Sequence, residues 1–467
     1  FSMPPLSHQP SRETAGYSLV IVGAGLIGSA AARHAALGAA PGSRIALVGP
    51  SEPQGRQPGE WGAFGAHHDE GRITRCTDPD PTWALLAQRS IDRYAEIEEQ
   101  SGVQFFSEVG HLAVGPAGAP SLVARAANAA SQGVPHELLD AAALRERYPY
   151  LSFPAGSAGV WEPRRSGHIS ARRLVAAQIS AAQRCVRPGV AFERVDESAV
   201  AVEEAAVKAA AGTAQATEGE AEGEAPAPSY RVLLRDGREL RAARVLLCCG
   251  AFTNGPSRLV PAPLRLSNFT TQTVHFSLGE GDAARLEGMP SVIAKFPTWW
   301  AYLLPPIRYP DGRTVLKLGG ARVEDASAPA ASLDAADRTP GRGGTRPLPE
   351  LSDLLMWYRS GGDAAARREM EGMLHELVPG LQPLEIRSDA CANCRTETGL
   401  PLVGKVRGQL YVAAGGNGLA AKSSDEIGRL AALAALGSLC CGEGGLQRWQ
   451  EPDDESELLA RQRFAPC

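Results

Sequence analysis

Three glycines near the start of the chain follow a short apolar run and suggest a dinucleotide site. The run Tyr17–Val22 lacks helical spacing, which predicts a buried parallel strand. The glycine turn that follows comprises Gly23, Gly25, Leu26, Ile27 and Gly28, with its glycines at GxGxxG spacing. Such glycines permit a tight turn, a close approach of a pyrophosphate and packing of the next helix on the strand. We therefore expect phosphates at the N-terminus of that helix.

Four cations further along the chain have the types and settings of ligand-binding groups. Arg72 and Arg75 follow a histidine pair, and a guanidinium binds a carboxylate through two hydrogen bonds. Lys317 stands in an apolar run, where a lysine needs a partner or a chemical reason. Lys422 stands near a helix start, where the helix dipole disfavours a cation without an anionic partner. The alternative for each of the four is a solvated surface charge.

Two cysteines in the segment Cys391-Ala-Asn-Cys394 are candidate nucleophiles. A thiolate is the common side chain most able to form a covalent bond to a cofactor. A CxxC pair also occurs in redox sites and as half of a zinc site. No second CxxC or histidine pair stands near this segment, so no metal site is predicted.

The elements that must position these residues return to one type of sheet three times. The glycine turn leads into an alanine-rich helix and a second buried strand at 43–48, which together make a βαβ unit. Buried strands that end in glycine recur at 244–250, with Gly250, and at 409–414. The last strand leads into the turn Gly415, Gly416, Asn417 and Gly418, and then into a helix at about 424–436. This threading is typical of FAD-dependent oxidoreductases with two domains.

Other segments predict the elements between these strands. Apolar runs at 274–278, 301–304 and 314–319 predict a separate antiparallel sheet. Helical spacing predicts one helix over 82–100, and residues 103–116 read as a hairpin. The domain boundaries predicted from this pattern are 15–110, 166–260 and 386–450 for a Rossmann-like FAD-binding domain, interleaved with 111–165 and 261–385 for an antiparallel-sheet substrate domain. Residues 204–228 and 326–349 are low in large apolar side chains and are expected to be mobile insertions.

Composition limits the partners of the chain. Its 467 residues predict more than one domain. A net charge of −5 argues against nucleic acid and against a basic membrane-binding face. Nine irregularly spaced cysteines suit free thiols in a reducing compartment, so an intracellular location, cytoplasmic or organellar, is expected. No apolar run is long enough for a transmembrane helix.

Four segments beyond the glycine turn resemble the D-amino-acid-oxidase superfamily, and within it the monomeric sarcosine oxidase and N-methyltryptophan oxidase group. They are the stretch from His67-His68 to Arg75, Thr314–Gly320, Cys391–Gly404 and Ala413–Lys422. The resemblance implies that Arg72 lies against the flavin and that Lys317 promotes its oxidation by O₂. It also implies that Arg75 and Lys422 bind the substrate carboxylate. Cys391 would be bonded covalently to FAD, with Cys394 as the alternative.

The chain departs from the family's pattern at several positions. Gly49 stands where an acidic residue would bind the adenosine ribose, and Glu52 is the candidate to replace it. The other departures are Gly71 for a threonine, Ala321 for a histidine, Asn393 for a tyrosine and Thr398 for an aspartate. The cofactor framework therefore matches better than the substrate pocket.

The resemblance implies a monomeric FAD-dependent amine oxidase. A secondary or N-methyl amino acid would be oxidised to an imine, with release of H₂O₂ after reaction with O₂. No general base is evident from the sequence, since Ala321 replaces the family's histidine. Two alternatives stay open: a dehydrogenase of the same fold that uses another electron acceptor, and a flavoprotein without catalytic activity.

Overall fold

The computed structural model describes residues 16–53, 64–205, 230–255, 258–323 and 345–437. Its strands are β1 (Leu19–Val22), β2 (Arg44–Val48), β3 (Arg72–Thr74), β4 (Phe106–Ser107), β5 (His111–Pro116), β6 (Glu137–Leu139), β7 (Ser157–Glu162), β8 (Gly167–Ile169), β9 (Ala191–Val195), β10 (Ala199–Glu204), β11 (Tyr230–Leu234), β12 (Glu239–Ala242), β13 (Val245–Leu247), β14 (Leu266–Ser277), β15 (Ser291–Phe296), β16 (Trp299–Arg308), β17 (Thr314–Arg322), β18 (Glu385–Thr396), β19 (Leu402–Arg407) and β20 (Leu410–Ala414). Its α-helices are α1 (Leu26–Gly38), α2 (Pro81–Ile91), α3 (Tyr94–Ser101), α4 (Pro120–Ser131), α5 (Ala141–Arg147), α6 (Ala171–Arg184), α7 (Glu280–Arg285), α8 (Leu351–Ser360), α9 (Ala364–Leu377) and α10 (Ser424–Leu436).

A six-stranded sheet holds the glycine turn. Its order is β19-β20-β13-β1-β2-β9, and every pair in it is parallel except β19 with β20. All four residues of β1 are buried, as a parallel strand covered on both faces requires. Strands β13 and β20 both belong to this sheet, on the same side of β1. The predicted return of the chain to the sheet is therefore confirmed.

An eight-stranded sheet forms the second layer of the molecule. Its order is β18-β14-β17-β16-β15-β5-β7-β6, antiparallel except where β15 meets β5. β14 and β18 pair over their whole length, from Leu266 opposite Thr396 to Ser277 opposite Glu385. The mixed α/β class and the separate antiparallel sheet are confirmed, although β14, β16 and β17 run beyond the predicted segments.

Two predictions about local structure are wrong. Residues 103–116 do not form a hairpin, because β4 pairs with β8 while β5 pairs with β7 and β15 in another sheet. The helix predicted over 82–100 is two helices, α2 and α3. Between them the chain tightens through a bond from the Arg93 N–H to the Ser90 carbonyl at 3.1 Å. The Arg93 guanidinium there binds Asp425 and Glu426 at 2.5 and 2.6 Å.

The predicted insertions fall mostly outside the described residues. Residue 204 ends strand β10, and residues 345–349 are described, whereas 206–229 and 324–344 are not. The domain boundaries stay predictions. In the described ranges, every helix is too short or too polar to cross a bilayer.

Candidate cofactor and substrate site

One cavity of about 1170 Å³ lies between the two main sheets. Its wall on one side follows the carboxyl ends of β1, β2 and β13, the edge at which open α/β sheets bind ligands. Its opposite wall is the face of the eight-stranded sheet, including Trp300 and Tyr302 of β16. The volume exceeds that of an ordinary drug-sized pocket, so it has room for a dinucleotide together with a small substrate.

Most of the residues predicted for the site line this cavity. They are Gly23, Gly25, Leu26, Ile27, Arg72, Arg75, Gly250, Cys391, Gly416, Asn417 and Gly418. The predicted residues that are not among the lining residues are Gly28, Glu52, Gly415, Lys317 and Lys422. Gly28 and Gly415 shape the backbone next to the cavity, while the other three are engaged in ion pairs.

The glycine turn fits a bound pyrophosphate. A Cβ on Gly23 would lie 2.4 Å from the Cys248 carbonyl oxygen, and one on Gly28 would lie 1.8 Å from the Gly23 carbonyl oxygen. Both positions therefore require glycine for packing. A Cβ on Gly25 would instead meet nothing closer than the His67 ring at 3.6 Å, so the missing side chain leaves space for a ligand. The first turn of α1 has no side-chain cap and no acidic residue, which leaves its N–H groups for phosphate oxygens.

The second glycine turn is fixed to strand β18. Asn417 has a positive φ of 51°, and its side-chain amide donates to the Gly415 carbonyl at 2.6 Å. The Thr396 N–H donates to the Asn417 side-chain oxygen at 3.0 Å, and the Asn417 N–H donates to the Cys394 carbonyl at 2.9 Å. These bonds hold the turn beside the strand that bears Cys391.

Glu52 forms an ion pair with Arg172, which also binds Glu70 at 2.5 Å. Its proposed contact with the ribose stays a prediction. Gly49 itself has a packing reason, because a Cβ there would lie 2.6 Å from the Ala24 nitrogen. An acidic side chain at this position would therefore push the strand away from the glycine turn.

Lys317 is buried in an ion pair that the sequence did not predict. Its ammonium contacts the Asp69 carboxylate and donates to the Gly71 carbonyl at 3.1 Å. The guanidinium of Arg72 contacts the same Asp69 oxygen. The Tyr309 hydroxyl donates to the other Asp69 oxygen at 2.8 Å. One carboxylate thus serves two cations, which leaves this cluster with one net positive charge.

The protonation of the Lys317 cluster follows from burial and from its charges. Burial alone would raise the pKa of Asp69, but Lys317 and Arg72 hold it well below its ordinary range. Burial and the neighbouring Arg72 lower the pKa of Lys317, while Asp69 opposes that shift. Asp69 is therefore ionised at neutral pH, and it favours the charged form of Lys317.

Arg75 and Lys422 converge on one place, where a carboxylate of the chain itself lies between them. The Asp78 carboxylate oxygen is 3.0 Å from the Arg75 guanidinium and 3.3 Å from the Lys422 ammonium. The Lys422 ammonium also lies over the Trp83 ring, 5.1 Å from its centre. Burial lowers the pKa of Lys422 to about 8, against the opposing effect of Asp78.

The surroundings of this second cluster are richer in cations than in anions. Arg125, which lines the cavity, donates to the Thr77 carbonyl at 2.7 Å, and its charge also acts on Asp78. The buried Arg75 side chain lines the cavity as well, and its Nε atom has no hydrogen-bond partner within the described part of the chain. Such a donor is a suitable contact for an anionic ligand.

Cys391 lies on β18 near Tyr358, whose pKa is raised well above its ordinary value by burial and by the Cys391 thiol. The Trp357 indole N–H donates to the Cys391 carbonyl at 2.6 Å, which fixes this part of the strand. Burial raises the pKa of the Cys391 thiol, and the charge of Arg72 opposes that shift. Burial raises the pKa of Cys394 to about 11, and among the described residues no arginine charge opposes that shift. Arg72 therefore favours a thiolate at Cys391 over one at Cys394.

Three carboxylates of the site were missed by the sequence reasoning. Asp69 and Asp78 each stand three residues from an arginine that was singled out, so that spacing was an available signal. Asp389 lines the cavity two residues before Cys391, and strand alternation places both on one face.

Of the positions at which the chain departs from the family's pattern, Gly49 and Gly71 have a packing explanation. Asn393 lines the cavity and would lie 3.1 Å from a Cβ on Gly418. Ala321 is buried in β17 opposite Trp300. A Cβ on Gly71 would lie 2.7 Å from the Leu304 side chain, which explains the missing threonine.

The chain matches the family described as FAD dependent oxidoreductase over residues 18–434. It belongs to that family. The match includes both glycine turns and both ion-pair clusters.

Individual relatives match over shorter stretches. A monomeric sarcosine oxidase of Streptomyces avermitilis is 28% identical over 169 residues, which is 36% of this chain and 41% of the relative. An N-methyl-L-tryptophan oxidase of Yersinia pestis is 26% identical over 166 residues, 35% of this chain and 42% of the relative. The chain thus spans less than half the length of the relatives it matches.

Solved structures share the fold over nearly the whole chain. NikD, described as an unusual amino acid oxidase, has a TM-score of 0.62 at 19% identity and covers 90% of this chain and 94% of its own. L-proline dehydrogenase from P. horikoshii has a TM-score of 0.62 at 15% identity, with coverages of 90% and 92%. At these identities the comparison confirms the two-sheet fold.

Proposed function

We propose that this FAD-dependent oxidoreductase oxidises the C–N bond of a secondary or N-methyl amino acid to an imine and uses O₂ as its oxidant. The observation that carries the proposal is the convergence of Arg75 and Lys422 on one carboxylate oxygen at the cavity wall. Two cations that already bind a carboxylate, with Arg125 beside them, form a suitable subsite for the carboxylate of an amino acid. The names of the relatives, sarcosine oxidase and N-methyl-L-tryptophan oxidase, agree with such substrates.

The residues that would hold FAD are those of the two glycine turns. The turn from Gly23 to Gly28 and the N-terminus of α1 would bind the pyrophosphate, and the turn from Gly415 to Gly418 would border the ring system. When bound, FAD would supply the two-electron redox chemistry that the protein side chains lack. We propose a covalent bond from Cys391, since its thiol faces the cavity and lies within the field of Arg72.

The chain's own residues would orient the substrate and hold charge. Arg75 and Lys422 would bind the substrate carboxylate while they keep their contacts with Asp78. Arg72 at the cavity wall and Lys317 behind it would supply positive charge, of which Asp69 cancels one unit. A fixed positive charge of this kind favours negative charge that develops next to it during the reaction.

The pairing of Lys317 favours a second candidate function, a dehydrogenase of the same fold. The ammonium is engaged by Asp69 and by the Gly71 carbonyl, so its effect on a reaction with O₂ is reduced. Such an enzyme would pass its electrons to an acceptor other than O₂.

One experiment separates these functions. The FAD-loaded protein is mixed with sarcosine, N-methyl amino acids, cyclic imino acids and fructosyl amino acids, and both flavin bleaching without oxygen and H₂O₂ formation in air are recorded. We expect bleaching and H₂O₂ with at least one N-substituted amino acid. Bleaching without H₂O₂ in air would support the dehydrogenase, and no bleaching with any amine would refute both.

The monomeric state and an intracellular compartment are further parts of the proposal. The described cysteines are all free thiols, which agrees with a reducing compartment. Sedimentation equilibrium of the FAD-loaded chain would test the monomer, whose expected mass is 49.1 kDa.

A further inference from the structure

Strand β18 presents a carboxylate to the cavity that no part of the proposed mechanism uses. Strand alternation places Asp389, Cys391 and Asn393 on one face, and all three line the cavity. Successive residues on that face are about 6.8 Å apart along the strand. Thr271 and Thr273, which pair with Cys391 and Asp389 across the strand, line the cavity too.

The Asp389 carboxylate differs from the other acidic groups of the site because it is unpartnered. Asp69 and Asp78 each bind two cations. Within the ranges that the structure describes, no hydrogen bond or ion pair joins the Asp389 side chain to another residue. Polar groups withdrawn from water are nearly always hydrogen-bonded, so a carboxylate left open toward a cavity points to a ligand that donates to it.

The charges around Asp389 come from several packed elements. They are Asp69, Arg72 of β3, Lys317 of β17 and Arg172 of α6, with Tyr358 of α8 and Cys391 of its own strand. Burial and the Asp69 charge raise the pKa of Asp389 to about 6, while Lys317 and Arg72 oppose the shift. Asp389 is thus a carboxylate at neutral pH and becomes a carboxylic acid under mildly acidic conditions.

We propose that Asp389 binds the ammonium group of the substrate and accepts its proton before oxidation, so that the cavity takes amines in their protonated form. The proposal rests on the amine oxidation proposed above and names its missing general base. It follows from the geometry because Asp389 is the open carboxylate beside Cys391, and Lys317 and Arg72 lie close enough to affect its charge.

The proton transfer balances without a further reactant. An N–H bond of the ammonium breaks as an O–H bond forms on the Asp389 carboxylate. The substrate nitrogen becomes a neutral amine with a free electron pair, and Asp389 becomes a carboxylic acid. No atom changes its oxidation state in this step. The free electron pair then favours loss of hydride from the adjacent carbon. A 2-hydroxy acid has no ammonium group, so it would offer Asp389 no proton to accept in this way.

A first test needs no substrate and measures thermal unfolding of the FAD-loaded protein at pH 8 and pH 5. Because the pKa of Asp389 is higher in the folded than in the unfolded protein, the protonated carboxyl stabilises the fold at a pH below the unfolded pKa. This stabilisation is lost as the pH rises through about 6. We therefore expect Asp389→Asn to raise Tm relative to wild type at pH 8, with a smaller gain at pH 5. The control is Glu385→Gln on the same strand, whose carboxylate is exposed and pairs with Arg387 at 2.7 Å.

This measurement distinguishes a binding role from a structural one. A carboxylate that stabilises the fold through partners would give the opposite sign, with a lower Tm for Asp389→Asn at pH 8. That result would overturn the proposal.

A second test uses an amine that the wild-type protein oxidises. We expect kcat/KM at pH 7 to fall about 10²-fold or more in Asp389→Asn, with loss of the acidic limb near pH 6, and Asp389→Glu to restore part of the activity. An unchanged pH profile in Asp389→Asn would overturn this proposal while the amine oxidase function stands. If the wild-type protein oxidises no amine, the proposed function fails first, and the role of Asp389 fails with it.

Discussion

Replacing Asp69 with asparagine removes the carboxylate that both Lys317 and Arg72 contact. Asp69 is 3% exposed and Lys317 is 1% exposed, so water cannot take over the role of the carboxylate at Lys317. Breaking a buried ion pair from one side costs about 3–5 kcal/mol, because the other charge stays buried without compensation. Arg72 is partly exposed and can turn toward solvent, so we assign the cost chiefly to Lys317.

The loss expected for Asp69→Asn is therefore about 3–5 kcal/mol in the free energy of unfolding. Since folded proteins have about 5–15 kcal/mol in total, the variant should unfold at a clearly lower urea concentration. Urea unfolding followed by tryptophan fluorescence and by circular dichroism measures the change, provided that the two transitions coincide and the slopes are equal.

A double-mutant cycle identifies the cause of that loss. Asp69→Asn with Lys317→Met removes both buried charges, so it should lose less stability than Asp69→Asn alone, with a coupling of about 1–3 kcal/mol. The control is Asp311→Asn, which breaks the exposed Asp311–Arg313 pair (2.6 Å) and should cost about 0–1 kcal/mol. A loss below about 1 kcal/mol for Asp69→Asn, or additive single effects, would refute the reasoning.

The pH dependence of this loss has a definite sign. The pKa of Asp69 is depressed in the folded protein, so its contribution is present above the unfolded value of about 3.9. It is lost only as the pH falls through the folded value. In the Asp389→Asn background, which removes the neighbouring carboxyl that titrates at about 6, the loss caused by Asp69→Asn should thus be the same at pH 6 and pH 8.

Two further predictions concern the cavity. Denatured wild-type protein should keep a fluorescent flavin on a gel, Cys391→Ala should lose it, and the matched variant Cys394→Ala should keep it; flavin released by the wild type would contradict the covalent bond. Asp78→Asn should bind small carboxylates such as acetate at least about tenfold more tightly, because Arg75 and Lys422 would no longer be paired with the Asp78 carboxylate. One charged hydrogen bond is worth about 1.5–3 kcal/mol, which corresponds to that change. Titration of the flavin spectrum with acetate would measure this, and weaker binding would contradict the assigned carboxylate subsite.

The sequence made the cofactor half of the site predictable because its signals are local. A glycine pattern after an apolar strand specifies a turn through backbone geometry alone, and Gly23 and Gly28 show that geometry. The partners of Lys317 were not predictable in this way. Lys317 meets Asp69 across 248 positions of chain, and only the packing of β17 against the segment before β3 brings them together.

The errors in secondary structure have the same origin. Residues 103–116 have a hairpin pattern, yet the pairing of Phe106 and His111 is decided by strands β8 and β15, which are distant in sequence. Helical periodicity continues through 82–100, but the ion pairs of Arg93 with the start of α10 fix the break between α2 and α3. Periodicity reports the buried face of a segment and not the tertiary contacts that interrupt it.

The two ion-pair clusters have a common composition that links the cofactor and the substrate. Each holds two cations around one carboxylate, Asp69 in the first and Asp78 in the second, and these acids stand nine positions apart in one segment. Each cluster therefore has one positive charge in excess. In the proposed function, one negative charge would complete each of them: the substrate carboxylate beside Asp78, and the charge that develops near the Asp69 cluster during the reaction. Because both counter-ions belong to the same segment, a substitution that moves this segment should change substrate affinity and oxygen reactivity together, whereas a change at Asp389 should lower kcat/KM and remove the acidic limb of its pH profile.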